Sequence, residues 1–132
     1  MAGTVTVLDS YERKEDANVL KRTQVDWISD GGSADGSVEV HGTILKVQFI
    51  PSAVDAPTDN YDVTLTDLAG ADVLRGQGAD LDTATVKTFI PLVDATDGTN
   101  NLQFPCVVDE ELVVAVRNAG NAKQGSIVIY YR

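Results

Sequence analysis

From Asp59 to Gly78 the chain reads Asp59-Asn60-Tyr61-Asp62-Val63-Thr64-Leu65-Thr66-Asp67-Leu68-Ala69-Gly70-Ala71-Asp72-Val73-Leu74-Arg75-Gly76-Gln77-Gly78. Tyr61, Val63 and Leu65 fall on one face of an extended chain, and Asp62, Thr64 and Thr66 fall on the other. That period of two is the mark of a strand with one side in a core and one in water. The pattern predicts a strand, a tight polar turn and a second strand. Similar alternation runs from Val19 to Ile28, with Val19, Val25 and Trp27 on one face, and weakly over Thr4–Leu8, an arm or edge strand.

Further strands are predicted over Ser37–Val40 and Thr43–Ile50, joined near His41-Gly42, and over Val86–Leu92, Leu112–Val116 and Ser126–Tyr131. Between them lie turn-rich stretches: 29–36, 79–85, 94–101 and 118–125, rich in Gly, Asp and Asn. Pro51 and Pro57 bracket a loop, because proline cannot donate within a sheet. The charged run Tyr11-Glu12-Arg13-Lys14-Glu15-Asp16-Ala17 suits a helix by composition but is too short to hold one unsupported. The expectation is therefore an all-β fold: a single-domain antiparallel β-sandwich (jelly-roll-like) or barrel of about eight to nine short strands. Residues 1–17 would form an N-terminal arm or edge strand with a short charged segment, and 18–132 the sandwich.

Composition supports one domain. A chain of 132 residues with 43% apolar content can bury roughly 65–70% of its unfolded surface without a disulfide. The single cysteine, Cys106, sits in the apolar run Leu102-Gln103-Phe104-Pro105-Cys106-Val107-Val108 and reads as a buried structural thiol. The N-terminus lacks a basic and an apolar signal region, and no long apolar run is present. A protein made in the cytoplasm, without a membrane partner, is expected.

Charge is unevenly placed. The net charge is −10, yet residues 1–50 hold eight acids and five bases and residues 112–132 hold three bases and no acid. Residues 51–111 hold twelve acids against Arg75 and Lys87. So acidic a segment repels phosphate, which argues against direct nucleic-acid binding. It suggests an outer surface facing water, paired with a less acidic docking surface.

Chemistry is sparse. His41 is the one imidazole, and Gly31-Gly32-Ser33-Ala34-Asp35 has Asp where a nucleophile elbow needs glycine. One His and one Cys cannot furnish an ordinary zinc site. Acids gather at Asp80 and Asp82, and at Asp94 and Asp97 with Asn100 and Asn101, but none matches an EF-hand loop. Twenty acids make some carboxylate pair inevitable, so a pair alone does not indicate a glycosidase. No phosphate loop occurs. The reading is a non-enzyme with no catalytic residue, metal or cofactor.

Three runs carry a resemblance. Pro57-Thr58-Asp59-Asn60-Tyr61-Asp62-Val63-Thr64-Leu65-Thr66-Asp67 is followed by Asp72-Val73-Leu74 with Gly76 and Gly78. The chain ends Val116-Arg117-Asn118-Ala119-Gly120, then Gly125-Ser126-Ile127-Val128-Ile129-Tyr130-Tyr131-Arg132. With Val25-Asp26-Trp27-Ile28-Ser29-Asp30 and Gly3-Thr4-Val5-Thr6-Val7, most of the chain resembles small virion proteins of tailed bacteriophages. The resemblance implies a capsid cement (decoration) protein. Such a protein would bind the major capsid protein on the exterior of the assembled head and stabilise it against internal DNA pressure. A tail, head–tail or receptor/carbohydrate-binding β-module is the alternative. Decoration of a symmetric lattice leads us to expect a homotrimer. The expected contacts are the N-terminal Gly3, Thr4, Val5, Thr6, Val7 and Tyr11 and the base-bearing Arg117, Lys123 and Arg132. Tyr130 and Tyr131 join them, on a terminal strand that must be central in its sheet or covered by a partner.

Overall fold

The computed structural model describes residues 3–11, 20–96, 98, 99 and 101–132. The charged run after Tyr11, residues 12–17, together with Val19, Asp97 and Asn100, lies outside them. Among the described residues there are nine strands and no helix. They are β1 (Thr4–Tyr11), β2 (Lys21–Ile28), β3 (Ala34–Pro51), β4 (Asp62–Thr66), β5 (Lys87–Phe89), β6 (Leu92–Thr96), β7 (Asn101–Pro105), β8 (Val107–Arg117) and β9 (Gln124–Tyr131). Seven form one antiparallel sheet in the order β1-β2-β9-β3-β8-β4, with β5 beside β3, while β6 and β7 make a separate hairpin. The sheet curls on itself, so the all-β expectation holds in a form between sandwich and barrel.

The curl originates in β3. Its first part, Ala34–Thr43, pairs with β8, and its second part, Ile44–Pro51, pairs with β9. The change of partner falls at Gly42 (φ 148°), where an added Cβ would lie 2.7 Å from the Arg132 carbonyl oxygen. Only glycine fits that bend. Immediately afterwards the register slips between Ile44 and Lys46, a bulge at Leu45. Val38, Val40 and Ile44 face inward before it, and Val47 and Phe49 after it. A bulge changes which side chains reach the core, which is why the sequence pattern suggested two strands where the chain makes one.

The core lies inside the curl. β2 contributes Val25 and Trp27, β4 Val63 and Leu65, β8 Leu112, Val114 and Val116, and β9 Ile127 and Ile129. Trp27 lies over Gly125, whose hypothetical Cβ would be 2.5 Å from the indole, and meets Tyr61 at 5.7 Å between ring centroids. Phe89 of β5 stacks on Phe49 at 5.4 Å. β9 lies between β2 and β3, so the strongly β-forming C-terminus is central.

Three local expectations need correction. The second strand after Asp72 reduces to one bridge, Thr66 to Asp72, because turns with positive φ at Arg75 and Gly76 replace it. The turn-rich 94–101 is partly strand, since β6 runs on to Thr96 and pairs with β7. β8 begins at Val107, five residues earlier than the apolar pattern from Leu112 indicated. Its extra residues, Val107–Glu111, pair with Thr43 back to Glu39 on the first part of β3.

Candidate interaction surface

Strand order places side chains of one character together on the outward face of the larger layer. By register this face carries Thr4 and Thr6 of β1, then Arg22, Gln24, Asp26 and Ile28 of β2. Gln124, Ser126, Val128 and Tyr130 of β9 follow, and then Lys46, Gln48 and Ile50 of β3. Asp26 is the only acid that β2, β9 and β3 contribute here, Asp9 of β1 pairing in register with Gln24, and the Ser126 hydroxyl (2.6 Å) and Gln24 amide (3.0 Å) both donate to Asp26. Val128 points outward yet is fully buried, between Gln24 and Gln48 on the neighbouring strands.

Tyr130 anchors one end of the face. The Lys46 ammonium stands 4.5 Å from its ring centre and the Arg22 guanidinium 5.9 Å, both within range of cation–π attraction. At the other end a shallow depression of about 400 Å³ is bordered by Thr4, Thr6, Ile28, Ile50 and Gln124.

The acids gather elsewhere and are mostly engaged. Asp72 accepts from the main-chain N–H groups of Leu65, Leu74 and Gly76. Asp67 accepts from Ala69 and Ala71, Asp62 from Asp80, and Asp59 from Thr83. Asp82 accepts from Ala84 and Thr85. The Ala84 N–H, followed by the Thr85 side chain, holds the Asp82 carboxyl below its ordinary range. The acid-rich segment is thus a set of loops closed by their own carboxylates. Sequence reading treated these acids as a solvated face. The signal for capping was present in Asp67-x-Ala69, Asp72-x-Leu74 and Asp82-x-Ala84, where Asp precedes its main-chain donor by two.

The residues expected to dock do not form one patch. Gly3 donates to the Ser33 carbonyl, and β1 pairs with β2 from Thr4 to Tyr11. Thr4 and Thr6 join the outward face, whereas Val5 packs against the core. Tyr131 is buried, its hydroxyl 3.4 Å from that of Thr23. Arg132 is exposed and its main chain pairs with Thr43. Arg117 bonds Asp35 at 2.8 Å, and the main chain of Lys123 is tied to Ser29. Lys123 and Arg132 stand at opposite ends of β9, about 30 Å apart at strand rise. Among the expected bases, Arg132 therefore groups with Tyr130, and Arg117 and Lys123 do not.

His41 Nδ1 lies 2.7 Å from Asp109 Oδ1, and both side chains are largely exposed. Ser37 is four residues away on the same strand, about 13 Å in extended chain, too far to receive a proton-accepting contact from His41. Cys106 is buried, and that burial pushes its thiol up from the ordinary value. Among the described residues no three His, Cys, Asp or Glu side chains are grouped to hold a metal ion. No helix there is long and apolar enough to cross a membrane.

Sequence reasoning missed the hairpin. Leu102 and Phe104 of β7 are exposed, as are Ile90 before it and Val107 after it. Among the described side chains of the hairpin, Val93 is the partly buried apolar one packed on the core.

No protein-family model and no curated protein matches this chain. Among solved structures it is similar to the lectin domain of lectinolysin complexed with Lewis B antigen. The identity is 18%, the TM-score 0.29, and the match covers 86% of this chain and 71% of that chain. It is also similar to a histidine mutant of the lectin-binding domain of lectinolysin complexed with Lewis b. There the identity is 17%, the TM-score 0.30, and the match covers 97% of this chain and 90% of that chain.

Proposed function

We propose that this chain is a non-catalytic structural protein of a tailed-bacteriophage virion, a capsid cement protein that binds the outside of the assembled head. The observation that carries the reading is the polarised surface. A sheet face poor in acids, on which Asp26 is already bonded, carries a Tyr130–Lys46–Arg22 cluster and is set apart from loops that hold most of the negative charge. Long side chains over an aromatic ring give a docking surface both a positive potential and an apolar contact. Turned toward the shell, this face leaves the acidic loops to water and away from the packaged genome. The resemblance of the sequence to small phage virion proteins supplies the kind of partner, the major capsid protein. Many copies binding only the assembled state stabilise it by mass action.

The experiment is to heat purified heads with and without the protein and record the temperature of DNA release. The expected result is a higher release temperature with the full chain, lost on replacing Lys46 and Tyr130 together by Glu and Ala. His41→Ala should protect as well as the parent chain. Failure of the folded protein to sediment with heads at any salt concentration overturns the cement reading. A tail or receptor-binding role would then take its place.

A further inference from the structure

Residues 51–111 hold two bases, Arg75 and Lys87, among twelve acids. The fold brings both to one depression of about 290 Å³, whose lining includes Arg75, Gln77, Phe89, Asp94 and Gln103. The Lys87 ammonium donates to the Gln77 carbonyl at 2.6 Å and stands 5.7 Å from the centre of the Phe89 ring. By register Lys87 and Phe89 point away from the outward pair Gln48 and Thr88. The depression therefore lies off the face that carries Tyr130.

Arg75 is fixed at this place by its own loop. Its φ of 57° lies in the left-handed region, which a residue other than glycine rarely adopts. Asp72 holds it there. The Asp72 carboxylate accepts from the N–H groups of Leu74 and Gly76 on either side, and the Asp72 carbonyl accepts from that of Arg75. The side chain is exposed, and among the described residues its guanidinium makes no hydrogen bond or ion pair. A planar fork of donors on a fixed backbone matches a carboxylate.

The rest of the lining narrows the ligand. Asp94 when ionised can only accept, and the Gln103 amide donates to it at 3.2 Å, so a ligand reaching Asp94 must bring donors. The amides of Gln77 and Gln103 can both give and take hydrogen bonds. Phe89, half-buried and stacked on Phe49, adds an apolar contact. A carboxylate by itself brings no donor for Asp94, and a neutral sugar leaves Arg75 unpaired. Arg75 and Lys87 outnumber Asp94, which favours a net anion over a zwitterion. The volume stands at the small end of ligand sites and suits one sugar ring. We infer that this depression binds a sugar that carries a carboxylate, with the carboxylate on Arg75 and the ring hydroxyls on Asp94, Gln77 and Gln103. The inference does not rest on the capsid reading, because the two use different faces.

The test is a titration of the full chain with D-glucuronate, followed by two-dimensional 15N–1H NMR. D-glucose, acetate and glycine serve as comparisons that carry the hydroxyls alone, the carboxylate alone, and a carboxylate with an ammonium. Saturable shifts are expected at residues 75–78 and at the Gln103 side chain, with a Kd at least tenfold below that of any comparison. Arg75→Gln should weaken glucuronate binding at least tenfold, and Arg117→Gln, away from the depression, should leave it unchanged. Far-UV circular dichroism and the fluorescence of buried Trp27 verify folding. Gln103→Ala, which removes a hydroxyl contact, serves where Arg75→Gln does not fold. Absence of saturable binding, shifts confined to other residues, or a folded Arg75→Gln with the parent's affinity overturns the inference. Equal binding of acetate would mean a simple anion site, and equal binding of glycine an amino-acid site, and either overturns it as well. Sedimentation with heads reports separately on the capsid-binding face.

Discussion

Removing the carboxylate of Asp72 leaves three main-chain N–H groups, those of Leu65, Leu74 and Gly76, without their acceptor. Hydrogen bonds to a charged group count for more than neutral ones, so Asp72→Ala is expected to cost about 2 kcal/mol. Asp72→Asn, which keeps one acceptor oxygen, should cost less, and urea unfolding of the two variants would check the order. Tyr61 makes the alkaline limit. Burial, and after it the Asp82 carboxylate, pushes its phenol from 10.0 to about 12. The unfolded chain ionises at the lower value, so Tyr61 contributes its full stability below pH 10 and loses it as pH rises toward about 12. A two-unit shift corresponds to about 2–3 kcal/mol. Tyr61→Phe should flatten the fall of the urea midpoint across that window while leaving the acid side unchanged. A variant with the parent's alkaline slope would remove Tyr61 from the explanation.

At the scale of the element, β1 is held by its ladder to β2 and by the fit of Val5 over Gly36. Gly36→Val places a branched side chain where Val5 sits, and neither residue can retreat without moving a strand. Overpacking of this sort costs about 1–3 kcal/mol. The expected sign is selective: hydrogen exchange of β1 amides accelerates more than that of β9, which is flanked on both sides. Equal loss of protection in both strands would mean that β1 and the core open as one unit. The same ladder bears on truncation. Deleting residues 2–8 removes most of an integral strand and exposes β2, so point changes at outward Thr4 and Thr6 are the cleaner probe of docking.

For the whole molecule, strand order sorts charge. The twelve acids of residues 51–111 occupy mainly the loops between β3 and β5 and the stretches around β6 and β8, whereas β2, β9 and the second half of β3 place only Asp26 on the outward face. A homotrimer with a mass three times 14.1 kDa suits a lattice threefold, and light scattering would count the chains. Binding to heads through the positive face should weaken as salt rises, because exposed charges are screened beyond about 8 Å at physiological ionic strength. Binding that ignores salt would place the contact on the apolar hairpin instead.

Sequence alone determined what depends on near neighbours. Alternation at Tyr61, Val63 and Leu65 and at Val25 and Trp27 specified strands and their inward faces, because a side-chain period of two follows from the backbone itself. The buried setting of Cys106 and the absence of a motif around His41 were equally local. Tertiary structure decided what depends on which strand lies beside which. It merged 34–51 into one strand, since Gly42 and the bulge at Leu45 reverse the inward parity without ending the ladder. It set the C-terminal strand between β2 and β3, and it turned acids that read as surface charge into acceptors for their own loops. It separated Arg132 from Arg117 and Lys123, although all three belong to one base-bearing stretch of sequence. Strand pairing joins residues up to about a hundred positions apart, and no local pattern of polar and apolar residues encodes that choice of partner.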